Sequence, residues 1–326
     1  MDNNQEKAVV ITGGSGFIGS NVCKLFVDSG FNVINIDRKK REIPGVTQYP
    51  FEIDNKQVKG IIELIKPHAV IHIAADNSVP KSVVDPMPTY TDNVYQTISL
   101  LNTCVGAGVP NFIYASSSSV YGTSINEDGS FKETDPCGPV NPYGRTKQMA
   151  ENIIIDYANV YGFNYANLRL FNVAGSNAGK FGYQKDPLVH VLPILTQAAL
   201  NDEKFVINGE DYNTPDGTCV RDYTHVNDVA RAFLSTAYYM FDCHENLTIN
   251  VGNNNPVSMK ELVGVVEQTL STHMIVEYTD ARAGDMIQTH ADIESAKAIL
   301  GWEPTNSIQQ IVEDEIKWQK TKIKKR

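Results

Sequence analysis

Residues 8–19 read Ala-Val-Val-Ile-Thr-Gly-Gly-Ser-Gly-Phe-Ile-Gly, and this stretch decides the fold. Its first part, Ala8 to Thr12, is a short apolar run typical of a buried strand, and it stops at glycines. Residues 17–29 continue with the apolar spacing of a helix, and residues 31–36 have the pattern of a second buried strand that ends before Asp37. The stretch therefore predicts a strand, a tight loop, a helix and a second strand in succession.

The loop between the first strand and the helix carries Gly13, Gly16 and Gly19 in a Gly-x-x-Gly-x-x-Gly arrangement. Such glycines let a pyrophosphate approach the backbone, and the positive end of the helix dipole attracts it. Asp37 stands 18 residues after Gly19, where a carboxylate can accept hydrogen bonds from both ribose hydroxyls of NAD. Arg38 could pair with the 2′-phosphate of NADP, but Asp37 would repel that phosphate. We therefore expect a dinucleotide site that holds NAD.

The rest of the first half repeats the alternation of strand and helix. Further strands are expected at residues 47–53, 69–74, 111–116 and 164–171, with helices at 55–65, 90–107 and 142–161. Repeated units of this length predict an α/β fold with a doubly wound parallel Rossmann sheet, covered on both faces by helices. Ligands bind such sheets beyond the carboxyl ends of the strands.

The composition changes after Asn172, where a connection rich in glycine, proline and polar residues begins. A strand at residues 247–251 is expected to return to the main sheet. We therefore divide the chain into two domains. The dinucleotide-binding Rossmann domain takes residues 1–172 plus about 218–252, and a smaller, mainly C-terminal α/β substrate domain takes about 173–217 plus 253–326.

Tyr143 and Lys147 are spaced to share one face of a helix. A phenol has a pKa of about 10 and is a poor base at neutral pH, but a cation beside it favours the phenolate. Such a pair can exchange a proton with a sugar hydroxyl while a hydride moves. An isolated Tyr-x-x-x-Lys also fits an ordinary surface helix. The glycine loop upstream and Ser117 between the two motifs favour the catalytic interpretation.

Composition limits the partners and the compartment. The 326 residues carry a net charge of −10, which disfavours nucleic acid or an anionic membrane as a partner. The 5 cysteines are widely spaced and form no zinc-type or redox pair, so we expect no metal site and reduced thiols. No apolar run is long enough to span a bilayer, and no signal-peptide pattern precedes Ala8. We expect a cytoplasmic protein.

The chain resembles the extended short-chain dehydrogenase/reductases and, among them, the NAD-dependent nucleotide-sugar epimerase/dehydratase family. The stretches that carry the resemblance are residues 12–19, 72–75, 93, 116–122, 142–147, 168–172 and 216–225. The last of these, Asp-Gly-Thr-Cys-Val-Arg-Asp-Tyr-Thr-His, is the most diagnostic and is similar to the UDP-hexose epimerases. The glycine loop by itself would indicate only the superfamily.

The resemblance implies NAD-dependent 4-epimerisation of a UDP-hexose through a 4-keto sugar, with the hydride returned to the opposite face. In the family's scheme the Tyr143 phenolate takes the proton from the sugar O4′, and Ser117 hydrogen-bonds the same oxygen. Lys147 is expected to hold the nicotinamide ribose and to lower the pKa of Tyr143, with the nicotinamide charge helping. The implied catalytic residues are therefore Ser117, Tyr143 and Lys147.

The same resemblance implies two sets of binding residues. The cofactor contacts are Gly13, Gly16, Phe17, Ile18, Gly19, Asp37, Ile53, Ala74, Ala75, Asn93, Tyr143, Lys147 and Phe171. The substrate contacts are Ser117, Asn172, His190, Val191, Arg221, Arg282, Asp285 and Thr289. Arginine forks match phosphate oxygens, so Arg221 and Arg282 are assigned to the diphosphate. His190 could equally be an ordinary interface histidine, and Arg221 could be paired within Arg221-Asp222.

Several positions depart from the family pattern. Asn77 stands where a lysine is usual, and Asn208 stands where an aromatic residue commonly stacks on uracil. Thr289 falls where a bulky tyrosine blocks an N-acetyl group in some members, so activity on UDP-N-acetylhexosamines is expected as well. The helices at 90–107 and 142–161 correspond to those that form a two-fold interface in the family, which implies a homodimer.

Three other functions compete with epimerisation. A 4,6-dehydratase shares the scaffold but needs an acid/base carboxylate pair directly after the serine, where this chain has Ser118-Ser119. A 4-keto reductase or dehydrogenase would need an exchangeable cofactor. A non-catalytic NAD-binding protein would keep the fold alone, and a fold cannot decide among these functions.

Overall fold

The structure is a computed structural model that describes residues 7–185, 187–281 and 286–323. Its strands are β1 (Ala8–Thr12), β2 (Asn32–Ile36), β3 (Val46–Tyr49), β4 (Ala69–His72), β5 (Asn111–Ser117), β6 (Ser130–Phe131), β7 (Asn164–Leu170), β8 (Asn172–Ala174), β9 (Phe205–Asn208), β10 (Val220–His225), β11 (Leu247–Val251), β12 (Pro256–Ser258), β13 (Val276–Thr279) and β14 (Gln288–Ala291).

Helices cover both faces of the main sheet and pack against the smaller strands. They are α1 (Phe17–Asp28), α2 (Lys56–Ile65), α3 (Val79–Val84), α4 (Pro86–Tyr90), α5 (Gln96–Ala107), α6 (Pro142–Tyr161), α7 (Val191–Leu200), α8 (Val226–Cys243), α9 (Met259–Leu270), α10 (Glu294–Leu300) and α11 (Ile308–Ile323). A π-helical turn (Thr91–Tyr95) joins α4 to α5, and a 3₁₀ turn (Ser118–Val120) follows β5.

The main sheet has seven strands in the order β11-β7-β5-β4-β1-β2-β3, and every neighbouring pair is parallel. The chain runs outward from β1 through β2 and β3, then crosses to the other side of β1 at β4. This reversal is the switch point where doubly wound sheets bind ligands. The predicted Rossmann sheet is confirmed, including the return of residues 247–251 as β11 beside β7.

Two apolar layers cover the sheet, because successive residues of a strand point to opposite faces. Val9 and Ile11 of β1 pack in the layer that includes Phe26 of α1 and Phe233 of α8. The residue between them, Val10, packs in the layer that contains residues of α2, α5 and α6. Strand β1 is therefore buried on both of its faces, as expected for a strand whose residues are all apolar up to Thr12.

A third apolar cluster lies apart from the main sheet, where α7, α9 and α11 pack around β9 and β10. Strand β10 is the centre of the smaller sheet: it pairs with β12, β14 and β8, and β14 also pairs with β6. The capping box expected at Ser258 and Glu261 is present at the start of α9. The boundaries between the two domains stay a prediction.

Some predicted elements differ from those observed. The strand expected over residues 47–53 ends at Tyr49, since Pro50 follows and has no N–H to continue a ladder. The helix expected over 90–107 is observed as α4, the π-helical turn and α5. No helix in the described part of the chain is long and apolar enough to cross a membrane.

Candidate active site

A cleft of about 560 Å³ opens beyond the carboxyl ends of β1, β2, β4, β5 and β7, and the chain after Asn172 forms its other wall. Sixteen of the residues that the sequence predicted for the site line it: Gly13, Gly16, Phe17, Ile18, Gly19, Asp37, Ile53, Ala74, Ala75, Ser117, Tyr143, Lys147, Phe171, Asn172, His190 and Val191. The structure thus brings the glycine loop and the tyrosine–lysine helix to one cavity of the size that small-molecule ligands occupy.

The glycine loop has no room for side chains. Gly13 has a φ of +75°, and a Cβ built on it would lie 2.6 Å from the backbone nitrogen of Ala74. A Cβ on Gly19 would lie 2.1 Å from the carbonyl oxygen of Gly13. The N-cap of α1 is Gly16, which has no side chain to accept from the first N–H groups of the helix. These N–H groups and the flat loop fit a pyrophosphate.

The Asp37 carboxylate is fixed at the end of β2. Its Oδ2 accepts from the backbone N–H of Ser15 at 3.0 Å, and its Oδ1 accepts from that of Lys39 at 2.8 Å. The neighbouring Arg38 forms an ion pair with Asp92 at 3.5 Å. The carboxylate therefore lines the cleft in a fixed orientation, which suits a ribose diol, while a carboxylate holds the adjacent guanidinium. These residues fit NAD.

The start of α6 brings Tyr143 to Ser117. Asn141 caps the helix by accepting from the Gly144 N–H at 2.8 Å. Gly144 packs so closely on the turn after β5 that a Cβ there would lie 2.3 Å from the Ser119 carbonyl oxygen. This close approach places the half-buried Tyr143 phenol within hydrogen-bonding reach of the Ser117 hydroxyl.

Lys147 is buried one helical turn after Tyr143. Its ammonium donates to the Ala115 carbonyl at 2.8 Å and lies 4.7 Å from the centroid of the Tyr114 ring. It is 6.0 Å from the centroid of the Tyr143 ring. Burial lowers the pKa of Lys147 to about 7, although the Glu151 carboxylate opposes this shift. The site therefore contains a lysine that titrates near neutral pH.

The pKa of Tyr143 responds to its burial and to two neighbouring side chains. Burial raises it above 10, the Ser117 hydrogen bond opposes the rise, and the Asp76 carboxylate adds to it. These protein groups by themselves favour the neutral phenol, and the lowering of its pKa by Lys147 together with the nicotinamide charge stays a prediction.

A buried ionic network supports α6 from behind, and the sequence analysis missed it. Arg169 donates to both carboxylate oxygens of Glu151, at 3.0 and 2.8 Å, and the Ser116 hydroxyl donates to the same carboxylate at 2.5 Å. Glu151 is four residues after Lys147, a spacing that could have suggested the pairing. The network connects α6 to β5 and β7, the strands that carry Ser117 and Phe171 at their ends.

Asn93 lies beneath the cleft and does not line it. Its side-chain NH₂ donates to the Asp76 carbonyl at 3.0 Å and to Thr146 Oγ1 at 2.9 Å, and its amide oxygen accepts from the Asp76 N–H at 2.8 Å. It therefore braces α6 against the segment after β4. Its assignment as a cofactor contact stays a prediction.

The predicted substrate residues divide into three groups. Asn172, His190 and Val191 line the cleft. Arg221 and Thr289 face each other in the register of β10 and β14 and do not line it, and Arg221 donates to the Val220 carbonyl at 2.8 Å. Arg282 and Asp285 lie outside the described residues. The substrate roles of all these residues stay predictions.

Burial also changes the pKa of His190, the residue before α7. Its ring packs edge-on against Tyr183 with centroids 4.5 Å apart. Burial lowers the pKa of His190 to about 4, and the nearby Lys185 ammonium contributes to this shift. The imidazole is therefore neutral at physiological pH and can act as a hydrogen-bonding group. Tyr183 and Lys185 also line the cleft, and the sequence analysis assigned neither of them to it.

The fold and the cleft define a dinucleotide-binding protein of the extended short-chain dehydrogenase/reductase type. The model of the NAD dependent epimerase/dehydratase family matches residues 9–252, and the chain belongs to this family. The UDP-glucose 4-epimerase of Rhizobium meliloti (strain 1021) is 34% identical over an alignment 327 positions long, which covers 98% of each chain.

Two solved structures are similar over nearly the whole length. The UDP-glucose 4-epimerase from Brucella ovis in complex with NAD superposes with a TM-score of 0.91 at 33% identity, covering 95% of this chain and 97% of that one. The UDP-glucose-4-epimerase from Stenotrophomonas maltophila, with bound NAD and formylated UDP-arabinopyranose, superposes with a TM-score of 0.94 at 28% identity, covering 98% and 100%.

Proposed function

We propose that this protein is an NAD-dependent UDP-hexose 4-epimerase that interconverts UDP-glucose and UDP-galactose. The observation that carries the proposal is the meeting of Ser117, Tyr143 and Lys147 in the same cleft as the glycine loop. UDP-glucose 4-epimerases that align over almost the full chain support it. The reaction is an isomerisation, so the sugar is oxidised and then reduced at one carbon with no net change.

Bound NAD would supply a hydride acceptor that later returns the hydride to the opposite face of a 4-keto sugar. The residues that we assign to holding it are the glycine loop, Asp37, Ile53, Ala74, Ala75 and Phe171, with Asn93 as a brace. Asp37 would accept from the adenosine ribose and would repel the 2′-phosphate of NADP. The residues that line the cleft therefore favour NAD.

Tyr143 is the proposed acid and base at the sugar O4′, and Ser117 is its hydrogen-bonding partner at the same oxygen. The phenol must lose its proton for the forward step, yet burial and Asp76 raise its pKa. Positive charge beside the phenol lowers that pKa, and both a charged Lys147 and a bound nicotinamide ring provide it. Coupling the base to the loaded site would restrict deprotonation to the complex that can react.

The nucleotide moiety must stay anchored while the keto sugar turns. We assign Asn172, His190 and Val191 to this anchor because they line the cleft, and Arg221, Arg282 and Asp285 by resemblance. Thr289 is small, and we propose that UDP-N-acetylhexosamines are accepted as well. A comparison of turnover of UDP-GlcNAc and UDP-glucose tests this extension, and no detectable turnover of UDP-GlcNAc would contradict it.

A dehydratase is disfavoured by the turn after β5. Elimination of water needs an acid and a base beside the sugar, and the two residues after Ser117 are Ser118 and Ser119, which line the cleft without a carboxyl group. A reductase would consume reduced cofactor in proportion to product, whereas an epimerase would not. The epimerase is therefore the proposed function.

We also propose a cytoplasmic homodimer, formed through α5 and α6. Ile153 and Tyr157 of α6 are partly exposed and could contribute to the interface. Leu100 of α5 is fully buried in the core of the subunit, so it is not available for that purpose. Light scattering tests this part, because a monomeric mass would contradict it.

The decisive assay incubates the purified protein with UDP-glucose and NAD and measures UDP-galactose by chromatography. We expect the two sugars to approach an equilibrium mixture from either side, with no net production of NADH. No interconversion in the presence of added NAD would contradict the proposal. Accumulation of a dehydrated sugar would favour the dehydratase instead.

A further inference from the structure

Lys185 is a cation at the cleft to which no role has been assigned. It belongs to the connection between β8 and α7, and its ammonium donates a hydrogen bond to the amide oxygen of Asn77, which lies between β4 and α3. Both side chains line the cleft. Two loops from separate parts of the chain therefore meet at this contact in the lining of the cleft.

The segment that carries Lys185 is anchored against the glycine-loop wall. The Asn21 side chain of α1 donates to the Phe181 carbonyl at 2.8 Å, and the Trp318 indole donates to the Tyr183 carbonyl at 2.8 Å. The Tyr183 ring also packs edge-on against Phe17, the first residue of α1, with centroids 6.0 Å apart. These contacts fix the backbone two residues before Lys185.

In the described part of the chain, no carboxylate pairs directly with this ammonium. The charged side chains that act on it are one carboxylate and three cations, namely Asp76, Lys39, Lys81 and Arg38. Asp76 pairs with Lys81 at 3.7 Å. Among the described residues, no carboxylate lies within 4 Å of the Lys185 ammonium. An uncompensated cation on the wall of a ligand cleft attracts anions.

We propose that Lys185 binds a diphosphate in the cleft, exchanging its amide partner Asn77 for phosphate oxygens. The inference rests on the proposed function, because NAD and the UDP-sugar each bring a diphosphate to this site. A hydrogen bond from ammonium to phosphate is stronger than one to a neutral amide. Asn77 is a neutral amide, so Lys185 is the partner in this contact that carries a charge for phosphate oxygens.

The test compares Lys185→Met with Lys180→Met, an exposed lysine of the same connection that does not line the cleft. Calorimetric dissociation constants are measured for NAD, and for UDP and uridine with the NAD-loaded protein. Because a charged hydrogen bond is lost, the dissociation constant for UDP, for NAD or for both should rise by roughly tenfold or more in Lys185→Met, and it should not change in Lys180→Met. Uridine, which has no phosphate, should bind equally well to all variants. The ligand whose affinity falls identifies which diphosphate Lys185 contacts.

Moving the lysine from position 185 to position 77 distinguishes the effect of the charge from any effect of the substitution on loop packing. In the double variant Lys185→Met/Asn77→Lys, the lysine stands on the other side of the same contact, and we expect the lost affinity to recover to within roughly threefold. Unchanged affinity of Lys185→Met for both diphosphate ligands would overturn the inference. So would a double variant that stays as weak as the single one while its melting temperature equals that of the wild type. Neither result bears on whether the wild-type protein interconverts UDP-glucose and UDP-galactose.

Discussion

The Lys147 ammonium donates a 2.8 Å hydrogen bond to the backbone carbonyl of Ala115, two residues before Ser117 on β5. Lys147 lies on α6, the helix that also carries Tyr143. The bond therefore joins the helix of one proposed catalytic residue to the strand of the other. Lys147 has a positional role in addition to its charge.

Replacing Lys147 by methionine should lower the catalytic rate without lowering the stability of the fold. We expect kcat to fall by about 100-fold or more, because the charge that favours the phenolate is lost. The folded pKa of about 7 lies below the ordinary value of 10.5, so the unfolded chain binds more protons between these values and stability rises with pH through this window. Removing this amine should therefore leave the melting temperature at pH 6 unchanged or higher. A variant that is both inactive and markedly less stable would contradict this reasoning.

Asp37 should set both the affinity for NAD and the discrimination against NADP. In Asp37→Asn, one charged acceptor at the ribose is lost and the repulsion of a 2′-phosphate disappears. We expect NAD to bind roughly tenfold more weakly and the ratio of NADP to NAD affinity to rise. Calorimetry with each cofactor measures this, and Asp242→Asn, an exposed carboxylate of α8 that does not line the cleft, is the control. An unchanged ratio would argue against Asp37 as the ribose ligand.

Removing one charged partner of the Glu151–Arg169 pair should markedly lower the free energy of unfolding. Glu151→Gln leaves the buried Arg169 guanidinium without its charged partner, and such changes destabilise by about 3–5 kcal/mol. The double variant Glu151→Gln/Arg169→Met removes the orphaned charge and should regain part of that loss. Denaturant unfolding of the three proteins measures the effect. A single variant as stable as the wild type would show that the network is not needed for folding.

Glu315, buried in α11, should make stability depend on pH in the opposite sense to Lys147. Burial raises its pKa to about 7 from 4.5, so the folded protein holds the extra proton between these values and loses stability as the pH rises through them. Glu315→Gln keeps an acceptor for Gln319, which donates to Glu315 at 2.7 Å. We expect it to stabilise the protein by about 1–3 kcal/mol at pH 8 and to have little effect at pH 4. An equal effect at both pH values would contradict the shift.

The parts of the fold and site that the sequence predicted are those whose residues lie close together in the chain. The glycine loop, Asp37 and the Tyr143–Lys147 helix each depend on local spacing, and the structure brings them to one cleft. Strands β10 and β14 escaped prediction, because β10 lies inside a motif of mixed polarity and pairs with residues such as Gln288, far along the chain.

The pKa of Tyr143 and the position of Lys185 could not be predicted from the sequence, for a different reason. The direction of the Tyr143 pKa depends on burial and on the Ser117 and Asp76 side chains, and none of these effects is visible in a four-residue spacing. Lys185 lies in a connection without apolar periodicity, so nothing in its surroundings indicated that it faces Asn77. Contacts between distant loops are set by the tertiary fold.

The most direct test of the central claim is the rate of UDP-glucose to UDP-galactose interconversion by Tyr143→Phe, measured beside the wild type with NAD supplied. Phenylalanine keeps the ring and removes only the hydroxyl, so we expect NAD binding and the melting temperature to be retained. The account predicts a fall in kcat of about 100-fold or more. Interconversion at the full wild-type rate would show that the Tyr143 hydroxyl is not the acid and base, and would contradict the account.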